Sequence, residues 1–214
     1  DTGEPGTGGV TIAAPASGDC ALTTWDAADQ TTTGRPPWLR ELRAGTVHLE
    51  SPGWSVDLEA WAHEGPTTYY FELNPDYDVA FEAPYLVEAV GGTFPGFSSE
   101  ELVVPAALHL LEPPSAGSFA APPGDWTLRW DGGSEPRVWI ELFTEEELSE
   151  GNAQITCEGA NDGEFTIPGD LLQGLPQGPL LRLIVGQPRS RTIVVEGFEV
   201  GVGSTASAEA LGRR

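Results

Sequence analysis

The chain has 214 residues, with 33 Asp and Glu against 10 basic residues and a formal net charge of −23. That charge repels phosphate backbones and anionic lipid headgroups, so neither nucleic acid nor an anionic membrane is an expected partner. The 39% of hydrophobic residues, 7 Trp among them, suffice for a buried core, and 27 Gly with 19 Pro suit short strands and tight turns rather than disorder.

All ten basic residues are arginine, and methionine is absent. Lacking an initiator at position 1, the sequence reads as a processed product. Residues 1–19 read as a flexible N-terminal tether of Gly, Thr and acids. Such leaders follow a signal cleavage site or a lipidated cysteine upstream of residue 1. The expectation is therefore an exported bacterial protein of the cell surface or periplasm. No run approaches the ~18 apolar residues of a membrane helix.

A first β-sandwich unit is expected over residues 20–111. Arg35-Pro36-Pro37-Trp38 limits any helix before it. Thr46–Glu50 alternates, Ser51-Pro52-Gly53 turns, and Trp54–Trp61 alternates again with Trp54, Val56, Leu58 and Ala60 on one face. Strand-like runs follow at Thr67–Leu73, Val79–Glu82, Tyr85–Val90, Leu102–Val104 and Leu108–Leu111. Residues 112–125 carry four prolines and read as a Pro-rich linker. A Pro-rich crossing loop within one domain would look the same.

The second unit is expected over 126–204. Trp126–Trp130 and Arg137–Phe143, joined through Asp131-Gly132-Gly133, predict a hairpin. Ala153–Cys157 and Glu164–Ile167 predict strands on either side of an Asn161-Asp162-Gly163 turn. Pro168 can open one helical turn through Leu172. Leu180–Val185 reads as a central strand buried on both faces, and Arg191–Val202 as a strand or pair broken at Gly197. Residues 205–214 read as a loose C-terminal tail. The spacing predicts an all-β chain. The Trp-bearing Trp126–Trp130, Ile155-Thr156-Cys157-Glu158, Phe165-Thr166-Ile167-Pro168 and the Leu-rich strand together resemble immunoglobulin-like domains of bacterial secreted proteins and lipoproteins. The resemblance covers roughly residues 124–204 and implies a surface or periplasmic setting; with the strand spacing and the Pro-rich 112–125 segment, the expectation is two immunoglobulin-like antiparallel β-sandwich units in tandem. The resemblance implies no particular activity.

Cys20 and Cys157 are the only cysteines. In an exported chain an even count favours a disulfide, the alternative being two buried thiols. No histidine pair has metal-ligand spacing, and no G-x-S-x-G nucleophile elbow occurs, so no cofactor and no enzymatic activity are expected. Calcium is the one ion the sequence offers oxygens for, at Asn74, Asp76 and Asp78, with Glu145–Glu147 and Asn161–Glu164 as weaker clusters. Turn chemistry explains such residues without an ion. Trp61, out of phase with Trp54, and Tyr69 and Tyr70, which are adjacent, are the candidate ligand platform. The function these features predict is a non-catalytic binding or structural module with a protein or polysaccharide partner. The alternatives are a carbohydrate-binding module, a self-assembling surface or filament subunit, and a hydrolase whose site is invisible in sequence.

Overall fold

The computed structural model describes residues 19–25, 44–51, 53–58, 60–61, 68–69, 79–116, 118–144, 152–177 and 180–213. The chain is nearly all β. The largest sheet has six strands in the order β1 (Cys20–Trp25), β12 (Asn152–Ala160), β11 (Arg137–Thr144), β14 (Leu180–Val195), β15 (Phe198–Arg213), β9 (Ser118–Ala120). Only β9 runs parallel to its neighbour. Facing it is a three-stranded sheet, β13 (Glu164–Ile167), β10 (Trp126–Gly132), β8 (Leu108–Glu112). Strict alternation builds the core between them. Val138, Ile140 and Leu142 of β11 and Leu181, Leu183 and Val185 of β14 point inward and are buried against Leu128 and Trp130 of β10. The short helix α1 (Gly169–Gln173) starts after Pro168, as its sequence predicts, and buries Leu172 in the same core.

A four-stranded antiparallel sheet, β3 (Trp54–Leu58), β2 (Val47–Ser51), β6 (Pro84–Ala89), β7 (Phe97–Val103), carries the second core. Val47, Leu49, Tyr85 and Val87 pack there against Val202, Ile193 and Val200 of β15 and β14. The hairpin β14–β15 therefore serves both cores. It pairs without a break from Leu180↔Arg213 to Val195↔Phe198 and closes on Glu196 and Gly197, whose φ values of 49° and 88° fit the two-residue turn with both central residues left-handed. A minimal ribbon pairs β4 (Ala60–Trp61) with β5 (Thr68–Tyr69).

The structure redraws several sequence expectations. The hairpin predicted from Trp126–Trp130 to Arg137–Phe143 does not form. β10 pairs with β13 and β8, while β11 pairs with β12 and β14, so the Gly132-Gly133 segment crosses between layers. Both glycines have φ of 79°, which lets the chain turn out of one sheet and into the other. Residues 205–213, expected as a loose tail, are the second half of β15. Ala206, Ala208 and Ala210 alternate inward and are buried, but alanine carries too little apolar bulk to register as a strand pattern. The 112–125 segment, expected as a linker, includes β9, paired with residues 211–213 of β15. The strand at Cys20, assigned by sequence to the first unit, lies at the edge of the six-stranded sheet, as does none of β2, β3, β6 or β7. Val79–Glu82, predicted as a strand, ends in a turn with Glu82 at φ 59°. Finally, Leu180–Val185 is fully buried only at its odd positions, with Arg182 and Ile184 half-buried on the outer face.

Candidate functional site

Cys20 and Cys157 are disulfide-bonded, at directly opposed positions of β1 and β12 with Cα atoms 4.1 Å apart. Cys157 is completely buried, and the bond packs into the larger core.

Where the two cores meet, the inward face of β14 changes from apolar to polar. Gln187 follows Leu181, Leu183 and Val185 in phase and is equally buried. Its Oε1 accepts the backbone N–H groups of Ser134 and Glu135, each at 2.9 Å, and its amide nitrogen donates to the Ala106 carbonyl. A Cβ at position 133 would lie 2.9 Å from Gln187 Oε1 and 2.7 Å from Asn161 Nδ2, so only glycine lets this loop approach. Asn161 ties the same loop down. Its Oδ1 accepts from Trp130 Nε1 at 2.7 Å and its Nδ2 donates to the Glu135 carbonyl at 3.0 Å.

Two residues beyond Gln187, Arg189 donates through Nε to Glu135, while its Nη2 lies 3.2 and 3.3 Å from the Glu82 carboxylate oxygens. Ser134 Oγ donates to Glu82 Oε1 at 2.5 Å, and the Ala106 N–H donates to the same oxygen at 2.9 Å. Burial disfavours the Arg189 charge, but Glu135 and then Glu82 outweigh it and raise its pKa. Glu82 is held below the ordinary carboxylate range, chiefly by the Ser134 hydroxyl and, against some desolvation, by Arg189. Glu82 sits in the left-handed backbone region, which is uncommon for a residue with a side chain. A depressed folded-state pKa adds stability above the unfolded value and loses it as pH falls through the folded one. The thermal midpoint of the native chain is therefore expected to fall below pH ~4.5, and Glu82→Gln to flatten that acid slope. Parallel pH profiles of the two proteins would overturn the assignment. Beside this cluster runs an open groove of about 560 Å³, lined by Glu100, Val103, Glu135, Pro188, Arg189 and Arg191 among others.

A different chemistry occupies the outer face of the six-stranded sheet. Trp139, Glu141 and Phe143 alternate with the buried residues of β11 and are half-buried. Trp139 stands directly opposite Gly186 on β14 and Glu158 on β12. A Cβ at position 186 would meet indole Cε2 and Cζ2 at 2.5 Å and Nε1 at 2.8 Å, so the ring occupies the space above that glycine. Burial pushes the Glu141 carboxyl up. Arg137 pairs with Glu158 at 2.8 Å and Arg182 with Glu209 at 3.8 Å on the same face.

The remaining sequence candidates fare as follows. Asn74, Asp76, Asp78, Tyr70, His63 and Glu145–Glu147 lie outside the described residues. Trp61 and Tyr69 fall one rung apart in the β4–β5 ladder, Trp61 opposite Thr68 and Tyr69 opposite Ala60. In the Asn161–Glu164 turn, Asp162 Oδ1 caps the Glu164 N–H at 3.5 Å, while Asn161 is occupied as above. His48 and His109 each meet the aspartate directly across the ladder, Asp57 at 2.7 Å and Asp131 at 3.1 Å. Among the described residues no three His, Cys, Asp or Glu side chains converge to hold a metal ion. No described helix is long and apolar enough to cross a membrane.

Neither the Gln187–Arg189 cluster nor the Trp139 face was singled out from sequence. The cluster's partners lie 24 to 107 residues apart, beyond any local pattern. The Trp139 face did leave a signal. Arg137–Thr144 carries bulky residues in both phases, so its second stripe, Trp139 and Phe143, had to face outward. The chain matches no family model, and neither curated proteins nor solved structures give a significant match to it.

Proposed function

We propose that the chain is an exported, non-catalytic binding or structural module of a cell surface or periplasm, built as two immunoglobulin-like units in tandem that share the β14–β15 hairpin. One observation carries the reading: the Cys20–Cys157 disulfide sits inside the core. Persistent structural disulfides belong to oxidising compartments, whereas catalytic or redox-sensing thiols are exposed. The net charge of −23 supports solubility and mutual repulsion outside the cell. Internal commitment of the polar cluster supports a non-catalytic role. Arg189, Glu82, Glu135, Ser134 and Gln187 spend their hydrogen bonds on one another and on backbone, joining two cores rather than converging on a substrate position. The partner in this reading is a protein or a polysaccharide.

The test is an alkylation experiment on protein taken from its native compartment. Denatured without reductant, the chain is expected to take up no iodoacetamide, and after reduction two equivalents. Two reactive thiols before reduction would overturn export as the protein's setting.

A further inference from the structure

We infer that the outer face of the six-stranded sheet around Trp139 binds a neutral polysaccharide chain. The inference rests on the binding-module reading and gives that reading a site and a ligand class.

Four features of the face point to this chemistry. The first is the aromatic surface. Trp139 lies over Gly186, where any side chain would displace it, and Phe143 stands four residues along the same strand on the same face. An indole held in one place by packing presents apolar area at little entropic cost, and the C–H face of a pyranose ring is the complementary apolar surface of a sugar. The second is polar. Arg137–Glu158 flank the tryptophan, and Arg182, paired with Glu209, stands opposite Phe143. Each pair fixes donors and acceptors side by side, the arrangement that engages vicinal hydroxyls.

The third feature is charge. Around Trp139 the described strands present three arginines, Arg137, Arg182 and Arg213, against three glutamates, Glu141, Glu158 and Glu209, with Arg137–Glu158 and Arg182–Glu209 paired. The face is therefore close to balanced in a chain whose net charge of −23 repels acidic polymers. A neutral ligand meets it without separating either ion pair. The fourth is extent. β12, β11, β14 and β15 lie side by side at about 4.8 Å per strand, so a chain laid across them meets a new strand about once per sugar unit. A face built along several strands accepts the middle of a polymer as readily as its end.

Affinity electrophoresis of the full chain tests the inference, in native gels containing glucomannan, galactomannan, pullulan, soluble β-1,3-glucan or, separately, polygalacturonate. At least one neutral polymer is expected to retard the protein, and polygalacturonate to leave its mobility unchanged. Trp139→Ala is expected to weaken retardation at least about tenfold. Because Trp139 also covers Gly186, Glu209→Gln is run beside it. That exposed substitution leaves the core untouched and is expected to weaken retardation several-fold, while His109→Ala, in the opposite layer, binds as the native chain does. No retardation by any neutral polymer, retardation by polygalacturonate alone, or native retardation of both Trp139→Ala and Glu209→Gln overturns the site. Failure of the underlying reading is seen separately, as free thiols in the alkylation experiment.

Discussion

Replacing both Cys20 and Cys157 with alanine is expected to lower the unfolding free energy by about 5 kcal/mol, the chain-entropy value for a loop this long. The bond spans 137 residues of sequence, so in the reduced unfolded chain its two ends are essentially independent. For a chain of this size the loss corresponds to a fall in thermal midpoint of about 10–20 °C. Loss should be largest at β1, an edge strand held otherwise by its ladder to β12 alone in the sheet order. Urea melts of native and double-alanine chains measure the effect. A difference under about 1 kcal/mol would mean that the reduced unfolded state already holds these segments together.

Gln187→Leu is expected to cost about 3 kcal/mol although it puts an apolar side chain of similar size into a buried site. The substitution leaves three backbone groups behind: the Ser134 and Glu135 N–H donors and the Ala106 carbonyl. Each buried group that loses its partner costs about 1–3 kcal/mol, partly recovered where water can enter. The effect should be local as well as global. Amide hydrogen exchange at Ser134 and Glu135 is expected to quicken far more than at Ile140 or Leu183 in the core they adjoin. Native-like stability of Gln187→Leu would show that the two cores are joined by the hairpin packing alone.

These two expectations differ in how far the chain announces them. The cysteine pairing was legible because two cysteines admit only one intramolecular bond. The turn at Glu196-Gly197, the opening of α1 at Pro168 and the inward phase of Trp54, Val56 and Leu58 were legible too, since each depends on φ preference or alternation over a few residues. Gln187 was not. By sequence it is a polar residue ending a strand, next to a proline. Only the approach of Gly133 and Ala106 turns it into the hydrogen-bonding centre of a junction. The predicted β10–β11 hairpin fails for a related reason. Alternation and a glycine pair look the same whether the chain folds back on its own sheet or crosses to the facing one.

The sequence by itself determined the strand-rich class, the net charge of −23, the inward phase of most strands and the single possible disulfide. These follow from side-chain chemistry and from a period of two, both of which are local. The tertiary structure alone decided which strands are neighbours, that one hairpin closes two cores, and that Trp139 stands over Gly186 on a sheet face beside paired charges. Ladder hydrogen bonds join backbone to backbone and are blind to side-chain identity, so a strand's sequence specifies its face but not its partner. The partner is settled by packing among residues far apart in the chain, and it is there that the junction and the proposed binding face arise.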